Sequence, residues 1–152
     1  DYWASSVQAT LANRQFCIDH ADQFKSYGPN SWGLTACDGP DGYRAYGAAE
    51  GWHDGTVSPH APAGSLPFAP AECLAALKFF RSQFGDRLWG RYGFKSAFNL
   101  DRNWWATDTI GIDQGMTLIM VENLRSGRVW RWMAGDPTLK RGLKRARFSP
   151  TS

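Results

Sequence analysis

Residues 86–115 read Asp-Arg-Leu-Trp-Gly-Arg-Tyr-Gly-Phe-Lys-Ser-Ala-Phe-Asn-Leu-Asp-Arg-Asn-Trp-Trp-Ala-Thr-Asp-Thr-Ile-Gly-Ile-Asp-Gln-Gly. The stretch holds three tryptophans, two asparagines, four aspartates and four glycines. Its apolar residues follow neither the period of 2 of a strand nor the period of 3.6 of a helix. It therefore reads as a long loop between helical blocks. Long irregular segments are uncommon in compact domains and are usually functional. Flat aromatic faces beside short amides and carboxylates suit a ligand with apolar CH faces and many hydroxyls, which is a sugar.

Downstream of the loop, residues 115–126 predict a helix. Met116, Leu118, Ile119, Met120, Val121 and Leu124 cover most of its circumference, so burial on several sides is expected. Glu122 inside it then needs a partner, because a buried unpaired carboxylate is costly, and Arg125 lies three residues on. Gly127 ends or bends this helix, Val129–Met133 continues helically, and Asp136-Pro137 supplies cap and first turn for a helix over 137–146.

Upstream, residues 70–84 give the clearest helical pattern. Pro70 suits the first turn, Glu72 complements the N-terminal dipole, and Gly85 suits the end. Leu74, Leu77, Phe80 and Phe84 predict its buried stripe. Residues 21–69 are too rich in glycine and proline for a helix. Short strands fit around Trp32–Ala36 and Gly42–Tyr46, with a turn at Asp54-Gly55. Residues 2–20 predict a helix with Asp1 as cap. The order is helix, long loop, helix, long loop, then two or three helices. That predicts one all-α domain over 1–152, with long Gly/Trp-rich loops and room for one short β-hairpin.

At 152 residues the chain is long enough for a sizeable core, and 43% hydrophobic with 20% charged residues is ordinary for a globular domain. Eight tryptophans are not ordinary. Some fill the core, and others suit half-wet surfaces where the indole N–H finds a partner. The net charge of +3 collects near the C-terminus, at Arg128, Arg131, Lys140, Arg141, Lys144, Arg145 and Arg147. It reads as a solvated helix face, and no interleaved aromatics mark a nucleic-acid groove. No apolar run reaches membrane-span length. Cys17, Cys37 and Cys73 form neither a disulfide framework nor a zinc signature, so buried free thiols are expected. The start at Asp1, already inside a helix, reads as a cut edge. The compartment stays open, with a periplasmic or secreted location favoured.

The chemistry-bearing candidates are carboxylates. Glycoside hydrolysis uses an acid and a second carboxylate across the scissile bond. Asp38, Asp54, Asp101, Asp108, Asp113 and Glu122 qualify by position. Asp113 is the most suggestive, since it directly precedes an apolar helix, where it serves as an N-cap or grips a sugar hydroxyl or a water. Asp38 sits among turn residues and suits an Asx-turn. His53 and His60 show no metal-ligand spacing, and no metal or cofactor is expected. Trp32, Trp104 and Trp105 are candidates for stacking on sugar rings. Asn99, Asn103 and Gln114 are candidates for binding hydroxyls. Nucleophile-elbow, Walker A and dinucleotide-binding signatures are absent from the sequence.

Several ordered strings resemble one family. They are Asn-Arg-Gln-Phe-Cys-Ile-Asp (13–19), Trp-Gly-Leu-Thr-Ala-Cys-Asp-Gly-Pro (32–40), Gly-Ser-Leu-Pro-Phe-Ala-Pro-Ala-Glu (64–72) and Asp-Arg-Leu-Trp-Gly-Arg-Tyr-Gly-Phe (86–94). Ala-Phe-Asn (97–99) with Asn-Trp (103–104), and Ile-Asp-Gln-Gly (112–115) followed by Val-Glu-Asn-Leu-Arg-Ser-Gly (121–127), complete the set. Together they resemble the bacterial glycoamylase-like domain, which includes endo-β-1,2-glucanases and domains of cyclic β-1,2-glucan synthases. The resemblance implies an (α/α) toroid of helical hairpins, of which this chain matches the C-terminal part. The N-terminal half of the same domain is then its implied partner, and a glucan its implied ligand. It further implies inverting hydrolysis of a β-glucan, with β-1,2 linkage first. By the same resemblance the family's catalytic acids lie largely upstream of the matched region, so the general acid is not assigned within this sequence. Trp32, Asp38, Asn99, Asn103, Trp104, Asp113 and Gln114 match the cleft motifs, with Asp113 as the catalytic candidate. A non-catalytic sugar-binding module and an inactive fragment are the alternatives.

Overall fold

The computed structural model describes residues 1–48 and 51–148. Its architecture is mostly helical. Helix α1 (Tyr2–Asp19) starts where the Asp1 carboxylate accepts hydrogen bonds from the Trp3 and Ala4 amides at 2.9 and 3.4 Å. It buries only Thr10 and Cys17. A β-hairpin follows, β1 (Ala36–Gly39) with β2 (Gly42–Ala45), antiparallel and paired from Ala36↔Ala45 to Gly39↔Gly42. The first strand thus begins at Ala36 instead of ending there. Strand β3 (Thr56–Val57) leads into the short α2 (His60–Gly64) and then α3 (Pro70–Phe84).

The long loop expected over 86–115 is more ordered than its pattern suggests. It carries a 3-10 turn (Gly85–Arg87) and four two-residue strands: β4 (Trp89–Gly90), β5 (Gly93–Phe94), β6 (Phe98–Asn99) and β7 (Trp104–Trp105). β4 pairs with β5, and β3, β6 and β7 form a three-stranded antiparallel sheet with β6 in the centre. The expected helical architecture holds, and beyond the one hairpin allowed for it carries further small strands. A two-residue strand shows no period, because its partners lie elsewhere in the chain.

The core sits between α3 and this small sheet. Cys73, Ala76 and Phe80 of α3 are buried, and Phe80 meets Phe84, Phe94 and Phe98 with ring centroids 5.6–6.3 Å apart. The buried stripe is therefore rotated by one residue from the expected one: Leu74 is 40% exposed and Leu77 and Phe84 are half-buried. The loop carrying Trp32 is pressed onto α2. Gly33 has φ +144°, and a Cβ there would meet the Ser58 carbonyl oxygen at 2.4 Å. The Ser58 amide donates to the Gly33 carbonyl at 2.9 Å.

Helices α4 (Gly111–Ser126), α5 (Arg128–Gly135) and α6 (Pro137–Arg145) complete the chain. Gly127, at φ +62°, ends α4 and opens α5. The buried Asn123 side chain accepts from the Trp130 amide at 3.1 Å and clamps the joint. Asp136 caps α6 through the Thr138 and Leu139 amides, both at 2.8 Å.

The expected burial of α4 on several sides is corrected. Asn123 is its only buried residue, while Leu118 is 71% and Ile119 45% exposed. α2 and α5 pack against it, and nothing among the described residues covers the face bearing Leu118. The expected Glu122–Arg125 pair is corrected too. Glu122 is half-exposed, accepts from the Ser126 hydroxyl at 2.6 Å and meets the Arg128 guanidinium at 3.4 Å. The Ser126 hydrogen bond first, then Arg128, holds its carboxyl below the usual range. No helix among the described residues is long and apolar enough to cross a membrane.

Candidate functional site

Strand β1, the 51–55 segment and the first turn of α4 supply three carboxylates, Asp38, Asp54 and Asp113. Cys37 lies on β1. Its thiol is buried, and burial pushes it up to about 12, with the charges of Asp113, Asp38 and Asp54 adding to the rise. Alternation along β1 explains the placement of two of these groups. Cys37 turns into the core, while neighbouring Asp38 is half-buried on the other face, opposite Tyr43 of β2.

Each carboxylate is held differently. Asp54 accepts from the Thr56 amide at 2.9 Å, from the Asn99 side chain at 3.4 Å and from the Tyr46 hydroxyl at 3.5 Å. Burial first, and the Asp54 charge among the smaller effects, raises the Tyr46 phenol above its ordinary value. Asp113 lies inside the first turn of α4, whose N-cap is Ile110, so the N-cap role expected for Asp113 is corrected. Its side chain is 19% exposed, and its Oδ2 faces Nε2 of His60 at 3.6 Å.

His60 opens α2 and is 1% exposed. Its Nδ1 lies 3.3 Å from the Thr117 hydroxyl of α4. That hydroxyl donates to the Asp113 carbonyl at 2.9 Å. Burial pulls the imidazole below its ordinary range, against the opposing pull of the Asp113 charge and the carbonyl groups at Phe94 and Lys95.

The other expected site residues divide into two groups. Asn99 is fully buried, and its side-chain nitrogen donates to the Asp54 carbonyl at 3.0 Å and the Thr56 hydroxyl at 3.1 Å. Its oxygen accepts from the Arg102 amide at 3.0 Å, so this amide ties the 54–56 turn to β6. Gln114 donates to the Phe94 carbonyl at 2.8 Å and joins α4 to β5. Both are engaged within the chain. Asn103, at φ +46°, is exposed in the β6–β7 turn, where asparagine tolerates the left-handed backbone. Trp104 is half-buried beside it, across from Asn99.

Trp32 and Trp104 are not brought to one groove. Trp32 is 1% exposed and lines a cleft of about 340 Å³ with Asn13, Thr35, Ser65, Phe68 and Met116, and Trp104 is not among its walls. Trp105 stacks inward on Phe98 at 5.5 Å. The exposed rings beside the carboxylates are ones that the sequence reading passed over. Tyr43 is 71% exposed opposite Asp38, and Trp52 is 52% exposed under the Arg44 guanidinium at 4.6 Å. The hairpin pattern Gly-Tyr-Arg-Ala was the available signal, since alternation puts Tyr43 and Asp38 at one register position. Arg102 reaches Asp41 at the hairpin tip through two 3.1 Å hydrogen bonds and straps the β6–β7 turn to this rim. Among the described residues no group of three or more His, Cys, Asp or Glu side chains is placed to hold a metal ion.

The chain is 30% identical over 145 residues to an exo β-1,2-glucooligosaccharide sophorohydrolase (non-reducing end) of Parabacteroides distasonis, covering 95% of this chain and 20% of that protein. It is similar to the crystal structure of an endo-β-1,2-glucanase from Chitinophaga pinensis in complex with sophorotriose and glucose, at 36% identity and a TM-score of 0.89, over 94% of this chain and 34% of the other. It is also similar to a "putative glucoamylase" structure from Bacteroides fragilis, at 35% identity and a TM-score of 0.93, over 100% of this chain and 36% of the other. The chain thus spans about a fifth to a third of the length of these relatives. The family model described as "Putative glucoamylase" matches residues 1–137, and the chain belongs to that glycoamylase family.

Proposed function

We propose that this chain is part of a glycoside hydrolase domain that cleaves a β-glucan, with β-1,2 linkages as the substrate. The observation that carries the proposal is the rim made by the exposed rings of Tyr43 and Trp52 with Asp38, together with Asp113 partly exposed at the start of α4. Carboxylates grip hydroxyls and water, and aromatic faces take the CH faces of pyranose rings. The 30% identical sophorohydrolase and the 36% identical endo-β-1,2-glucanase support the linkage.

In this reading Asp113 holds a sugar hydroxyl or the attacking water, and Asp38 binds the sugar from the hairpin side. Asn103 and Trp104 extend the rim across the Arg102–Asp41 strap. Asn99, Gln114 and Trp32 support these groups from below. Inversion requires a water between acid and base, with their carboxyl groups roughly 6.5–9.5 Å apart. The general acid comes from the remainder of the domain. We also propose that the whole domain is an (α/α) toroid and that its N-terminal half covers the exposed face of α4. The chain's 34–36% share of the solved relatives and the exposure of Leu118 and Ile119 support this.

The test uses the natural polypeptide that carries this sequence. Release of reducing ends from linear β-1,2-glucan, with little from β-1,3- or α-1,4-glucan, is expected. Asp113→Ala is expected to lower kcat/KM by about 100-fold or more, the scale of a lost transition-state contact. Binding of the glucan without new reducing ends overturns the hydrolase reading. Full activity of Asp113→Ala removes Asp113 from the site.

A further inference from the structure

His60 and Asp113 form a buried pair with unmet hydrogen-bonding capacity. Nε2 of His60 and Oδ2 of Asp113 are both buried without a hydrogen-bond partner, and they face each other at 3.6 Å. The Thr117 hydroxyl has a single hydrogen. Its shorter contact, 2.9 Å, directs that hydrogen to the Asp113 carbonyl. Towards His60, at 3.3 Å, the hydroxyl oxygen is then an acceptor, so Nδ1 of the imidazole carries the hydrogen. In the neutral ring this leaves a lone pair on Nε2 aimed at a carboxylate oxygen. Two acceptors confronting each other in a buried site repel, and one proton between them removes the conflict.

We infer that His60 is the positioning residue of Asp113: clamped by Thr117, it fixes the Asp113 carboxylate through Oδ2, and the two side chains take up one proton as a unit. The inference rests on the role proposed above for Asp113 and adds what sets that role. Oδ1 becomes the oxygen open to a ligand. The proton needs no external reagent, since it exchanges with solvent. Among the described residues, Asp113 is the charged group acting on the ring. The Lys95 ammonium turns away to the carbonyls of Asp86 and Arg87.

Nitrogen-15 NMR of histidine-labelled natural polypeptide tests the pair directly, with the His60 ring assigned by its loss in His60→Gln. The expected result is an Nδ1–H tautomer. The ring's protonation midpoint should fall by about one pH unit or more in the isosteric Asp113→Asn variant, the scale of a lost neighbouring charge. An unchanged midpoint, or an Nε2–H tautomer, overturns the inference. If Asp113→Asn fails to fold, Thr117→Val serves instead and is expected to abolish the tautomer preference, and a retained preference overturns the clamp.

The enzymatic arm measures linear β-1,2-glucan cleavage against pH. His60→Gln is expected to lower kcat by about tenfold with KM within about twofold, and to move the acidic limb of the profile. A lower kcat with an unmoved limb marks a merely structural role and overturns the positioning role. A wild-type polypeptide that leaves the glucan intact sinks the substrate reading instead, and the NMR arm still decides the pair.

Discussion

Helices α3 and α4 have nearly the same length and similar apolar content, yet their surroundings differ. α3 places Phe80 fully inside an aromatic cluster, whereas α4 leaves Leu118 71% exposed. α3 finds its cover within the chain, from the sheet β3–β6–β7 and the β4–β5 hairpin. α4 is covered on one side by α2 and at its end by α5. Apolar side chains on a helix state that a surface should be covered, and the chain's own topology decides whether the cover lies within these 152 residues.

Three substitutions sharpen or break that comparison. Phe80→Ala empties the centre of the aromatic cluster and should destabilise the fold by about 3–5 kcal/mol, read as a lowered midpoint in urea unfolding. A loss below about 1 kcal/mol would mean that α3 is not the anchor. Asn123→Ala removes the buried side-chain acceptor of the Trp130 amide and should cost about 1 kcal/mol, measured the same way. An unaffected midpoint would detach α5 from the fold's energetics. Leu118→Ala on the open face should change stability by less than about 0.5 kcal/mol in this chain. In the complete natural polypeptide the same change should cost about 2–5 kcal/mol if the face is covered there. Equal small effects in both settings would break the proposed cover.

Features decided by local chemistry were legible in the sequence. The limits of α3, the Asp1 and Asp136 caps, and the break at Gly127 follow from one or two residues each. The aspartates were legible as candidates, because acidic residues in turns before an apolar helix are conspicuous. Less legible were features set by distant partners. The two-residue strands β6 and β7 exist through pairing with Thr56, Val57 and each other, and carry no period of their own. Trp32 and Asn99 read as ligand-facing from composition, but both are buried, because close approach at Gly33 and the 54–56 turn consumes their surfaces. His60 read as an unremarkable histidine in a Gly/Pro-rich segment. Its meaning depends on α4 arriving 53 positions later with Asp113.

The three thiols carry one more consequence. Burial raises Cys17, Cys37 and Cys73 to about 12 each. Alkylating agents, peroxide and disulfide exchange act on the thiolate, so all three are expected to react faster once the chain unfolds, and in the fold these cysteines serve as small apolar packing units.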